Sequence, residues 1–125
     1  MAVTYNTTLK TTRMTDVITA IDAGAAAGTI EIGTASMASV LCVITLADPS
    51  GTAASGVLTF DFSPAVVGTA TAGGTAAEAR IKDSNATVVI SGLTVGTSGA
   101  NINLDSVTIS SGQTVTLTSG TISHG

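Results

Sequence analysis

The sequence predicts a mainly β protein, an antiparallel β-sandwich or jelly-roll-like barrel preceded by an extended N-terminal arm and one short N-terminal α-helix. Seven short runs rich in Val, Ile, Thr and Leu follow residue 28. Each is bounded by Gly, Pro, Asn, Asp or Ser, which is the texture of strands and tight turns and not of alternating βαβ units. A single stretch carries helical periodicity, and it precedes all of them. A chain of 125 residues is the size of one domain.

In chain order, residues 1–11 are Thr-rich and read as the extended arm. Met14, Val17, Ile18 and Ile21 then fall at i, i+3, i+4 and i+7, which places them on one helix face and predicts a helix over 12–23. Thr12 is the expected cap, Asp16 suits the positive end of the dipole, and Gly24 is the expected stop. Residues 23–28, "AGAAAG", read as a connector into a β-domain over 29–125.

The expected strands are "TIEIGT" at 29, "SVLCVITLA" at 39, "GVLTFDF" at 56, "AEARIKD" at 77, "TVVISGLTV" at 87, "NINLDSVTI" at 101 and "TVTLTSGTI" at 114. "DPSG" at 48, "SPAVVG" at 63, "DSNA" at 83 and "SSGQ" at 110 supply turn residues between them. Neighbouring strands are therefore expected to pair antiparallel. Ala77, Ala79 and Ile81 alternate with Glu78, Arg80 and Lys82, the period of a half-buried strand, so the three charges are expected on a solvated face. The alternative is a polar contact with another chain, because only twelve residues of the whole chain are charged.

Composition narrows the function. Aromatic residues are limited to Tyr5, Phe60 and Phe62, and Trp is absent, so the core is expected to be thin and to gain from oligomerisation or docking on a larger surface. The formal charge is -4, with four scattered basic residues at Lys10, Arg13, Arg80 and Lys82. Such a chain has no basic stripe for phosphates, and nucleic acid is not an expected partner. No run approaches the eighteen or so apolar residues of a membrane span, and "MAVTYNTTLKTTRM" lacks a signal-peptide core, so no membrane is expected and the protein is expected to be made in the cytosol.

Reaction chemistry finds little to stand on. His124, the one histidine, is next to the last residue, a poor place to hold a general base. Cys42 is the one cysteine and reads as a small core side chain, which leaves neither a disulfide nor a zinc set. Asn101, Asn103 and Asp105 share a strand face opposite Ile102 and Leu104 and read as a hydrated polar face, not a calcium loop.

Asp48, Asp61, Asp83, Asp105, Glu31 and Glu78 form no recognisable acid–base pair. "TATAGGTA" at 69 lacks the lysine and following helix of a phosphate loop and reads as a loop or a flexible strand edge. The sequons at Asn6 and Asn85 lack a secretory context, and Phe60 and Phe62 read as core or interface. No catalytic residue, metal or cofactor is expected, and the protein is not expected to be an enzyme.

The phrases "YNTTLKTTRMTDVITAIDAG", "TIEIGT", "ITLADPSG", "GVLTF", "ARIKDS", "SGLTVG" and "GQTVTLTSGTISHG" span most of the chain. In order and texture the sequence resembles small structural virion proteins of tailed bacteriophages, most of all head decoration (capsid cement) proteins. That resemblance implies a non-enzymatic protein on the capsid surface, assembled in the host cytoplasm. It would be β-rich and homo-oligomeric, with a trimer favoured, and would bind the major capsid protein or other virion subunits through an N-terminal arm.

On this chain the arm would carry Val3, Tyr5 and Leu9 to a sheet edge of the partner. The stripe of Met14, Val17, Ile18 and Ile21 would cover a subunit junction or its own sheet, and Arg80 and Lys82 would face a subunit. Head-to-tail connectors or tail components are the nearest alternative. An adhesive or carbohydrate-binding β-sandwich is a second, although three aromatic residues provide little platform.

Overall fold

The computed structural model describes residues 5–24, 26–47, 50–62 and 66–123. Helix α1 (Thr7–Ile21) leads into strands β1 (Thr29–Gly33) and β2 (Val40–Thr45), separated by a 3-10 turn at Ala35–Met37. Then come β3 (Gly51–Ala54), β4 (Val57–Phe60), β5 (Val66–Thr69), β6 (Gly74–Thr75), β7 (Glu78–Lys82), β8 (Val88–Gly96), β9 (Ile102–Leu104), β10 (Thr108–Ile109) and β11 (Thr114–Ser123). The protein is mainly β with one N-terminal helix, and its curled sheet makes a half-barrel of the sandwich-or-barrel class.

The helix begins five residues before the expected start, so residues 7–11 belong to it and not to an extended arm. Asn6 is the cap in place of Thr12: its backbone is extended and its side-chain oxygen accepts from the Leu9 N–H at 2.7 Å. Threonine is a poor helix former because its hydroxyl competes for backbone groups. Here Thr11, Thr12, Thr15 and Thr19 donate to the carbonyls four residues back, at 3.0–3.1 Å, so each hydroxyl is satisfied without unwinding the helix.

Nine strands form one sheet in the order β2-β1-β7-β8-β9-β11-β4-β3, with β5 also paired to β11; β6 and β10 make a small second ladder. Every pairing is antiparallel except β8 with β9, where Val95 meets Ile102 and Gly96 meets Asn103 in parallel. That pair departs from the expected all-antiparallel sheet. Strands β3 and β5 lie in segments expected to be turns or loops, β6 lies in the one expected to be a loop or a flexible strand edge, and "NINLDSVTI" breaks into β9 and β10.

Inside the curl lie Ile30, Ile32, Leu41, Cys42, Ile44, Ile81, Ile102, Leu104, Val115 and Leu117, each at most 1% exposed. This core is aliphatic, and its fit depends on close backbone approach. On β5, Gly68 faces β2, and a Cβ there would stand 2.6 Å from Ile44 Cγ1 and 3.1 Å from both Cys42 Sγ and Val43 O. Only a residue without a side chain lets the two strands come so near.

Helix α1 closes the other end of the sheet. The β3–β4 hairpin turns through Ser55 and Gly56, both with positive φ (51° and 75°), as a two-residue type I′ turn requires. The Gly56 N–H donates to Thr11 Oγ1 at 2.9 Å, and the Ser50 N–H donates to both Asp22 carboxylate oxygens at 3.2 Å. These bonds lay the helix along the length of the hairpin, where it buries Met14 and Ile21 and half-buries Val17 and Ile18. Gly51 is buried against Thr59 and Phe60 of β4, and α1 packs on both β3 and β4.

Candidate partner-binding surface

The residues expected to meet a partner divide into three groups. Val3 lies outside the described residues. Met14, Val17, Ile18 and Ile21 are applied to the core of their own chain, so the helix stripe covers its own sheet, the intramolecular alternative of the expectation. Tyr5 and Leu9 stay exposed, at 38% each, at the N-terminal end of α1, with the Arg13 guanidinium carbon 4.5 Å from the Tyr5 ring centroid. That cation–π contact holds the aromatic side chain against the helix.

Arg80 and Lys82 are not on a freely solvated face. β1 lies beside β7 with Glu31 opposite Arg80, and Arg80 Nε reaches Glu31 Oε1 at 2.5 Å while Lys82 Nζ reaches Oε2 at 3.1 Å. The Glu31 side chain is only 13% exposed, and those of Arg80 and Lys82 are 32% and 21% exposed. Alternation along β7 gives the correct face. It carries no information about the acid on β1 that draws both cations inward.

Burial pushes the Glu31 carboxyl up, but hydrogen bonds and charge from Arg80 and Lys82 outweigh it and leave its pKa below the usual glutamate value of 4.5. A depressed carboxylate stabilises the fold fully above its unfolded pKa, and that contribution is lost as pH falls through the folded value. Glu31→Gln is therefore expected to cost about 1 to 2 kcal/mol at pH 7. The gap from wild type should close below about pH 4. Thermal midpoints of both proteins at pH 7 and pH 3 check this, and a gap that stays constant with pH would show that the loss does not come from the carboxylate charge.

The expected hydrated face at Asn101, Asn103 and Asp105 is corrected at Asn103, while Asp105 stays exposed and Asn101 is half-buried. Asn103 is 9% exposed. Its amide accepts from Ala100 N–H (3.1 Å) and donates to Ala100 O (3.2 Å) and to Ser119 Oγ (2.9 Å), pinning β9 to β11. Asn101 Oδ1 accepts from the Thr94 backbone and hydroxyl, both at 3.0 Å. Asp83 similarly caps its own turn, accepting from Asn85 N–H and Thr87 N–H at 2.9 Å. These polar side chains are tied to backbone and hold turns in place.

Where β4 and β11 diverge there is a cleft of about 330 Å³ lined by Phe60, Asp61, Phe62 and the 118–121 segment. The two phenyl rings stack with centroids 5.8 Å apart, but Phe60 is 4% exposed. Its ring belongs to the core, as expected, and leaves no two-ring platform for a sugar.

Among the described residues no three His, Cys, Asp or Glu side chains come together as a metal set, and no helix is long and apolar enough to cross a membrane. Buried Cys42 has its thiol pKa raised by burial. His124 lies outside the described residues.

No family model, curated protein or solved structure matches this chain.

The exposed surface includes uncharged β-branched side chains. Val43, Val67 and Val88 are 46–51% exposed, and Thr8, Thr12, Thr15 and Thr19 form the outer face of α1. Sequence reading passed over Val67 because it follows Pro64 in a phrase rich in turn residues. The signal present was the β-branched pair Val66-Val67.

Proposed function

We infer that the protein is a non-enzymatic structural subunit of a tailed-phage virion, a decoration protein that binds across capsid subunits and stabilises the shell as a homo-oligomer. The observation that carries this reading is the anchoring of α1. Thr11 and Asp22 fix the helix to both ends of the β3–β4 hairpin, and Tyr5 and Leu9 stand exposed where the chain enters the body. A segment joined to that point has a rigid base from which to contact a neighbouring subunit.

The contact differs from the one expected of an extended arm over residues 2–10. Residues 7–10 are helical, so strand addition to a partner would be confined to residues before Thr7, with Tyr5 and Leu9 packing beside it. The uses made of Glu31, Asp22, Asp83 and Asn103 support the same reading, since each is committed to holding the fold.

Quantitative mass spectrometry of purified particles of the encoding phage tests the proposal through the ratio of this protein to the major capsid protein. A ratio near one per capsid subunit is expected. A dozen copies or fewer would place the protein in a connector or tail, and absence from the particle would remove the virion reading.

A further inference from the structure

The curled sheet closes on itself along a line that carries no ladder. From β2 the path runs through β1, β7, β8 and β9 to β11. β5 pairs with the other edge of β11 and comes back beside β2. Every step of that path is a hydrogen-bonded ladder, but among the described residues no ladder pair joins β5 to β2.

The two strands are in register for one. The Thr71 N–H donates to Leu41 O at 2.8 Å, and a Cβ on Gly68 would stand 2.6 Å from Ile44 Cγ1. Both contacts fit a single antiparallel alignment, which sets Val43 against Thr69 and Thr45 against Val67. Backbone direction agrees with it. The Leu46 N–H donates to Gly28 O at 2.9 Å beside the Thr29–Thr45 pair, so alternation turns the backbone groups of Val43 and Thr45 away from β1. Ala70 is bonded to Gly112 and Gln113, so the same alternation turns those of Val67 and Thr69 away from β11. The groups that could zip the seam thus face each other without forming a ladder, and the packing of Gly68 on Ile44 and Cys42 holds the strands together.

We propose that the protein opens at the β2–β5 seam, where β5 parts from β2 while β2 stays laddered to β1 and β5 to β11. Native proteins open locally where the fewest backbone bonds and contacts resist, and this seam is the one place in the ring where the ladder is missing. Opening there uncovers Cys42, which is 0% exposed and whose Sγ lies 3.1 Å from the position of a Gly68 Cβ. The seam is a property of the chain in solution and does not depend on the virion reading.

Cys42 is the one cysteine of the chain, so its reaction with a soluble disulfide reagent such as DTNB reads the seam in the full-length protein. Modification is expected about tenfold or more faster than global unfolding allows. Its rate should also rise only shallowly with urea, because parting two strands exposes far less surface than unfolding.

Paired variants at the exposed positions Thr45 and Val67 tie the opening to this seam. Thr45→Glu with Val67→Lys places opposite charges across it and should slow modification roughly threefold, whereas Thr45→Lys with Val67→Lys should speed it by a similar factor. Modification no faster than global unfolding allows, with the full urea dependence of unfolding, would overturn the proposal. Equal rates for the opposite-charge and like-charge pairs would overturn it as well.

Discussion

Reversing both cations of β7, as Arg80→Glu with Lys82→Glu, is expected to destabilise the protein by about 3 kcal/mol or more. The change removes both partners of Glu31, which is 13% exposed, and sets two new carboxylates beside it in a region where water screens poorly. An exposed strand face would tolerate the same reversal within about 0.5 kcal/mol.

Two further variants separate charge from packing. Glu31→Lys with Arg80→Glu restores an opposite-charge pair across β1 and β7 and should recover part of the loss. Replacing Glu31, Arg80 and Lys82 together by methionine leaves no orphan charge and should cost less than the double reversal. Chemical denaturation midpoints of the three variants decide the matter, and a double reversal within 0.5 kcal/mol of wild type would mean that the cations are solvated.

Gly68→Val is expected to cost about 2 to 4 kcal/mol, because its Cβ alone would stand 2.6 Å from Ile44 Cγ1 and 3.1 Å from the Val43 carbonyl oxygen. A flexible side chain could swing aside, but a strand backbone cannot, so β5 would have to lift from β2. Shortening the obstacle with Ile44→Ala should return part of the stability to the Gly68→Val protein even though the substitution is itself destabilising. Such a rescue is a coupling that residues in direct contact show. At the adjacent position Val67→Ala should change stability by less than about 0.5 kcal/mol, and equal losses at 67 and 68 would contradict the inward placement of Gly68.

Much of the fold was legible because side-chain period is a local property. The stripe from Met14 to Ile21 identified the helix and the face it buries, and "TIEIG", "EARIK" and "VTLTSGTIS" became β1, β7 and most of β11. The helix start was lost in a threonine run whose propensity argues against helix, while the Asn6 cap and four hydroxyl back-bonds argue for it.

Strands β3 and β5 were lost for a different reason. "GTAA" and "VVGT" carry few large apolar side chains, and their place is set by neighbours far along the chain. The partner surface was less legible than the fold. Periodicity shows that Arg80 and Lys82 share a face, yet Glu31 joins them only because β1 and β7 are adjacent, and nothing local encodes an adjacency between residues 49 positions apart.

Strand β11 touches β4, β5 and β9, and Thr59, already opposite Thr52 in the hairpin, has to wait for Thr121 on its other side. On the ribosome, β4, β5 and β9 therefore emerge well before the strand that organises them. The ladders that β11 makes with these three strands cannot form until Thr114–Ser123 has left the exit tunnel. Contacts so distant in sequence place folding in the slow, millisecond-to-second class. During that interval the early strands of one nascent chain can meet those of another, so the order of synthesis gives β11 the part of a clasp that joins strands already made.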